Sequence, residues 1–150
     1  MTKIYLARHG LALSTEVDHG FPLAEQGKDE TQKIARALKC FDPKLDNIYH
    51  SNKLRTQQTA EIFREVLAPH LTIEMREGMK PLDAIEDIYH EINAIEENIM
   101  IVSHLPFLEQ LAAKLLYGKQ APLCFDFSTS AVACLEKSFN EHWKLVLFLG

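Results

Sequence analysis

Four apolar runs of strand length, Lys3 to Ala7, Asn47 to His50, Leu71 to Met75 and Asn98 to Ser103, alternate with longer stretches of helical periodicity. Short apolar runs bounded by turn signals read as buried strands. A strand that hands over to a helix before the next strand begins is returned to the same edge of the sheet, so successive strands pair in parallel. The alternation therefore predicts a parallel sheet with helices on both faces. The helical stretches run from Leu23 to Cys40, Lys53 to Leu67, Asp83 to Glu96 and Pro106 to Tyr117. In the last of them Leu108, Leu111, Ala112 and Leu115 fall on one face. Pro106 suits its first turn and Gly118 its stop. After a loop from Lys119 to Ser128, two alternating segments, Ala131 to Glu136 and Trp143 to Leu149, read as a terminal hairpin or a pair of late sheet strands.

With 150 residues, 47% of them hydrophobic, the chain is long enough to bury a core and short enough to expect one domain over 1–150. A formal net charge of −5 argues against a general nucleic-acid binder or an anionic-membrane binder, either of which needs a basic surface. Any basic site must be local. Cys40, Cys124 and Cys134 are odd in number and widely spaced, so neither a disulfide framework nor a zinc ribbon is indicated, and they read as reduced, half-buried thiols. The first residues are too short an apolar stretch for a signal peptide, and no segment approaches spanning length, so a cytoplasmic protein is the expectation. There is no repeat and no linker. The acidic stretch with Glu86, Asp87, Glu91, Glu96 and Glu97 reads as a solvated helix face.

Ligands of open α/β sheets bind at the carboxyl ends of the strands, and three predicted strand ends carry unusual residues. The first run leaves the core into Arg8-His9-Gly10. The second ends at His50 and continues Ser51-Asn52-Lys53-Leu54-Arg55, which sets Arg55 in the first turn of the following helix. The fourth ends in Ser103-His104-Leu105-Pro106, where a helix begins. Parallel pairing brings Arg8, His9, Arg55 and His104 to one edge, a set suited to an anion and containing a nucleophile. Taken singly, an Arg-His or Ser-His pair is an ordinary surface or structural feature. A metal site built on His9, His50 and His104 is the rival reading, disfavoured by two neighbouring arginines and by the absence of a His-Glu-x-x-His spacing. No Gly-x-Ser-x-Gly elbow, Walker loop or closely spaced Cys-Arg pair offers another nucleophile.

Arg8-His9-Gly10, Ser51-x-x-x-Arg55-x-x-x-Thr59 and Ser103-His104 resemble the three signatures of the histidine phosphatase superfamily. Asp18-x-x-x-Pro22-Leu23-x-x-x-Gly27, Val102-Ser103-His104-Leu105-Pro106 and Thr129-Ser130-Ala131 extend the likeness to its compact bacterial SixA-type phosphohistidine phosphatases. The resemblance implies a phosphoglycerate mutase-like, three-layer α/β/α sandwich with a mostly parallel central sheet. It also implies a metal-independent phosphatase without cofactor, in which His9 forms a phosphohistidine intermediate and Arg8, Arg55 and His104 bind the transferred group. His9 must attack neutral, whereas His104 helps most when protonated, a state that the phosphate dianion itself could sustain.

Some superfamily branches place an acidic residue directly after the second histidine, and here Leu105 stands there. Asp18, Glu77 or a water could supply a proton, and the sequence does not choose among them. A phosphohistidine leaving group, with a conjugate pKa of about 6.5, needs little acid help. An alkoxide leaves far less easily, its parent lying closer to water at about 15.7. The segments after Gly10 and Met75 are short, which leaves the pocket open to a phosphorylated protein such as a histidine phosphotransfer domain. Phe21 and Ala24 stand where SixA-like sequences have Arg and Thr, so substrate contacts differ. The alternatives are a small phosphorylated substrate with Asp18 or Glu77 as acid, and a non-catalytic phosphate-binding adaptor. Ser51, Ser103, Thr129 and Ser130 are candidates to orient the pocket. Gly27 reads as close helix packing and Trp143 as core, while His19, His50, His70, His90 and His142 read as surface or structural.

Overall fold

The computed structural model describes residues 1–17 and 20–150, so Asp18 and His19 lie outside the described residues. The strands are β1 (Lys3–Arg8), β2 (Asn47–His50), β3 (Ile73–Met75), β4 (Ile99–Ser103), β5 (Val132–Lys137) and β6 (Trp143–Leu149). The helices are α1 (Glu25–Lys39), α2 (Leu54–Leu67), α3 (Glu86–Ala94) and α4 (Phe107–Tyr117). The strands form one sheet in the order β3-β2-β4-β1-β5-β6. The first four are mutually parallel where they pair, and β5 and β6 close the far edge as an antiparallel hairpin. This is the mostly parallel sheet that the alternation of runs predicts. The central β4, Ile99 to Ser103, is buried along its whole length, as a strand covered on both faces must be.

Two cores lie on opposite faces of the sheet. Tyr5, Ala7, Ile48, Met100 and Val102 face α1 and α2, which bury Ala35 and Leu38 and Ala60 and Phe63 against them. Ile4, Leu6, Ile99 and Ile101 face α3 and α4, which contribute Ile88, Ile92, Leu108, Leu111 and Leu115. Alternate residues of each strand serve opposite cores, as the two-residue pleat requires. Phe63 on one face and Phe107 on the other are fully buried. Burial of a side chain of this size contributes about 2 to 3 kcal/mol by transfer. Trp143, 7% exposed, is core as expected, and its indole N–H donates to Asn93 Oδ1.

The ends of several elements differ from the sequence reading, each for a local reason. Leu23 pairs with Ala12 across a short antiparallel bridge and Leu13 N–H donates to the Pro22 carbonyl, so Pro22 and Leu23 are extended and α1 begins at Glu25. The Leu71 N–H closes a turn onto the Ala68 carbonyl, which delays β3 to Ile73. Asp83 accepts from the Lys80 N–H and closes a turn, so α3 starts at Glu86. Pro106 caps α4 rather than opening it, and Gly118 ends it in the left-handed conformation at φ 74°. The thiols are not half-buried: Cys134 lies inside β5, while Cys40 and Cys124 are exposed.

One backbone contact fixes where α1 meets the loop after β1. A Cβ on Gly27 would stand 2.2 Å from the Leu11 carbonyl oxygen, which also accepts the Ala24 N–H that leads into α1. Backbone cannot yield as a flexible side chain can. Gly27→Ala is therefore expected to destabilise the protein by about 2 kcal/mol or more, read as a lower urea midpoint at unchanged m. A midpoint within error of the wild type would show that α1 stands off this loop.

Candidate active site

Parallel pairing of β1 with β4 sets Arg8 opposite Ser103, and β4 pairs β2 with His50 opposite Val102. Just past these rungs the His9 N–H donates to the Ser103 carbonyl (3.1 Å) and the Ser51 N–H to the Val102 carbonyl (3.3 Å). The three strand ends are thus neighbours in the order β2-β4-β1, and the residues following them rise side by side. The His9 and His104 ring centroids lie 5.2 Å apart, tilted by 56°. Arg8 and Arg55 both act electrostatically on each ring. The structure therefore gathers all four sequence-predicted residues into one site.

His9 is held at its Nδ1, 2.8 Å from the Gly10 carbonyl oxygen. A carbonyl only accepts, so Nδ1 carries the proton and Nε2 keeps its lone pair. Burial pushes the His9 pKa down to about 4; the Gly10 hydrogen bond works against this, and the charges of Arg55 and Arg8 reinforce it. His9 is therefore a neutral imidazole at ordinary pH.

His104 is 2% exposed, and its Nε2 lies 2.7 Å from Ser51 Oγ. The Thr56 hydroxyl reaches two carbonyls, Lys53 at 2.8 Å and Ser51 at 3.1 Å, so it donates to backbone and accepts from Ser51 Oγ at 2.8 Å. Ser51 thereby has its oxygen free to accept from a protonated His104 Nε2. Nδ1 of His104 is left buried without a hydrogen-bond partner among the described residues. Burial, then Arg55, His9, Lys53 and Arg8, push the His104 pKa down to about 3. A dianion in the site would oppose the field of those cations and offer Nδ1 an acceptor.

Arg8 Nη1 donates to the Phe127 carbonyl at 2.8 Å, while its buried Nε has no partner among the described residues. Neither Arg8 nor Arg55 forms an ion pair with a described residue, and burial lowers the pKa of both. Two half-buried guanidiniums that form no ion pair with a described carboxylate, Arg8 feeling the Glu109 charge without a salt bridge to it, make a local cationic site in a chain of net charge −5. Such planar donors match the oxygens of a phosphoryl group.

The supporting residues are partly those read from the sequence. Ser51 holds His104, and the Ser103 carbonyl holds the His9 N–H while its hydroxyl donates to the Met79 carbonyl. Ser130 N–H donates to the His9 carbonyl, and its hydroxyl meets the Thr31 hydroxyl at 2.8 Å and makes no hydrogen bond to the four side chains. Thr129 is half-buried and makes no hydrogen bond among the described residues. His50 is buried, with Nδ1 on the Ser51 carbonyl. Glu77 is exposed beyond β3, and no hydrogen bond joins it to the four residues; Asp18 is outside the described residues.

Thr59 is a functional position that the sequence marked only as part of a signature. Its buried hydroxyl donates to the Arg55 carbonyl (2.7 Å) and accepts from the Gly10 N–H (2.9 Å), joining α2 to the loop that carries His9. Gly10 itself has no room for a side chain, since a Cβ would meet Thr31 Oγ1 at 2.8 Å. The Phe127 and Met79 carbonyls had no signal in the sequence, because any residue type supplies a carbonyl.

Comparison with known proteins agrees with this construction. Phosphohistidine phosphatase SixA of Escherichia coli strain K12 is 28% identical over 152 residues, covering 95% of this chain and 92% of its own. A solved structure of the protein histidine phosphatase SixA complexed with tungstate superposes with a TM-score of 0.86 at 24% identity, covering 98% of this chain and 96% of that one. A provisionally assigned phosphohistidine phosphatase SixA from Agrobacterium tumefaciens gives 0.80 at 26% identity, over 99% and 97% of the two chains. The fold is accordingly the phosphoglycerate mutase-like three-layer sandwich. Residues 4–86, which hold Arg8, His9 and Arg55, match the Histidine phosphatase superfamily (branch 1), and the chain belongs to that superfamily of hydrolytic enzymes.

Proposed function

We propose that this enzyme is a metal-independent phosphohistidine phosphatase whose substrate is carried on a signalling protein such as a histidine phosphotransfer domain. The observation that supports it best is a neutral His9, its Nε2 lone pair free, beside the unpaired guanidiniums of Arg8 and Arg55. His9 Nε2 attacks phosphorus, the N–P bond of the substrate breaks, and the released imidazole takes the electron pair and then a proton. Water next attacks phosphorus, the P–Nε2 bond breaks, and orthophosphate leaves with His9 restored. Arg8, Arg55 and a His104 protonated at Nδ1 stabilise the charge on the equatorial oxygens in both steps. Metal is not needed for that charge when preorganised cations already face it.

The leaving group follows from what stands next to the pocket. Leu105 succeeds His104 and is half-buried against the apolar core, so no carboxyl is offered there. A phosphohistidine, whose ring leaves at a pKa of about 6.5, suits such a site better than an alkoxide does. Similarity to proteins named for phosphohistidine points in the same direction.

His9→Ala is expected to abolish turnover of a phosphohistidine protein, and brief incubation of the wild type should yield a phosphate on His9 by mass spectrometry. Turnover that survives the substitution, or that is lost on addition of EDTA, would overturn the mechanism. Given equal access to phosphomonoesters, the enzyme should prefer the phosphohistidine protein in kcat/KM; preference for monoesters would refute the substrate assignment. Arg55→Ala is expected to cost about 100- to 1,000-fold in kcat, the loss typical of one preorganised donor at developing charge.

The titration has a definite sign. Both histidine pKa values lie below the roughly 6.5 of an unfolded histidine, so the folded protein binds fewer protons across that interval. Stability should be full above about pH 6.5 and fall as the pH drops toward 4, which urea midpoints at pH 7 and pH 5 can check. In imidazole 15N spectra His9 should titrate near 4 in the free protein, and tungstate should move His104 upward. A His9 midpoint near 6.5 would remove the basis for a neutral nucleophile.

A further inference from the structure

Six of the eleven exposed large apolar side chains among the described residues belong to two segments that follow strand ends at the edge of the sheet that carries the site. Leu11 (38% exposed), Leu13 (41%), Val17 (46%) and Phe21 (41%) belong to the segment that leaves His9, and Met75 (49%) and Leu82 (87%) to the end of β3 and the turns beyond it. Strand β1 runs parallel to β4, and β3 runs parallel to β2, which is itself parallel to β4, so both segments follow strand ends at the carboxyl edge.

Contacts place Phe21 beside the pocket in particular. Its neighbour Gly20 packs against Leu54, the residue before Arg55, so closely that a Cβ there would meet Leu54 Cδ2 at 2.9 Å. Two residues further on, the Leu23 N–H donates to Gln58 Oε1 (2.7 Å), and Leu23 packs on Gly10, the residue after His9. Phe21 is therefore suspended between one anchor beside Arg55 and another beside His9.

We propose that this apolar rim is the docking surface for the protein that carries the phosphohistidine, and that it recognises apolar side chains flanking that residue on a folded partner. The inference rests on the phosphohistidine reading and deepens it. The substrate is the one molecule that must come to this edge, because the phosphoryl group has to reach His9. Its charge is met by Arg8 and Arg55 at the centre, while the surrounding surface offers apolar contact, the division between a specific centre and a water-excluding surround found in protein interfaces. A small phosphorylated molecule would engage the cations and leave the rim in water.

The test compares two substrates of the same chemistry, a phosphotransfer domain phosphorylated on histidine and the free amino acid phosphohistidine. Phe21→Ser combined with Leu13→Ser, and separately Leu82→Ser, should raise KM for the phosphoprotein, the first variant by about tenfold or more. The loss in kcat/KM should be at least tenfold larger for the phosphoprotein than for free phosphohistidine with that double variant. Phe139→Ser, 94% exposed outside the two rim segments, is the control and should leave the phosphoprotein KM unchanged. Thermal melts of all variants establish folding. An unchanged phosphoprotein KM in folded variants, or equal losses on both substrates, would overturn the docking surface while leaving the phosphatase reading intact. Hydrolysis of monoesters with none of the phosphoprotein by the wild type would overturn both.

Discussion

The register of β1 against β4 is the constraint on which the site depends. Arg8 pairs with Ser103, and the next ladder bond runs from the His9 N–H to the Ser103 carbonyl, so the two histidines emerge from adjacent strands at the same height. Shifting β1 by one residue would send Ile4 and Leu6 to the face now occupied by Tyr5 and Ala7, exchanging the partners of both cores at once. The apolar pattern of four residues, Ile4 to Ala7, thus fixes the position of His9 at the end of the strand. Core packing and site geometry are set by the same alternation.

That alternation is also why so much was legible in the sequence. The runs at Lys3, Asn47 and Asn98 are long and apolar enough to be strands wherever they pair, and their ends display Arg8-His9, Arg55 and His104. The strand order was not legible, since β2-β4-β1 arises from how crossovers pack and not from any local pattern. Boundaries moved where backbone hydrogen bonds competed with periodicity, as at Leu71 and Leu23. The acceptors that hold Arg8 and Ser103 are carbonyls of Phe127 and Met79, distant in sequence and independent of side-chain identity. Ser51 and Ser130 were both candidates by type, yet only Ser51 touches one of the two site histidines through its side chain.

Electrostatically the site is arranged against its own protonation. Burial and two guanidiniums lower the pKa of both histidines, and neither arginine forms an ion pair with a described carboxylate, although the Glu109 charge acts on Arg8. An arriving dianion relieves this repulsion on two cations together and gives His104 Nδ1 its missing partner. Substrate binding and the protonation of His104 are then linked equilibria, each favouring the other.

The Thr59 hydroxyl lies between the Gly10 N–H and the Arg55 carbonyl. A helix that tilts or slides during thermal breathing would ordinarily change its distance from a neighbouring loop. Here one hydroxyl bonded to both opposes such a change between the loop that carries His9 and the turn of α2 that carries Arg55. Drawing the two segments apart along this line would first have to break a buried hydrogen bond.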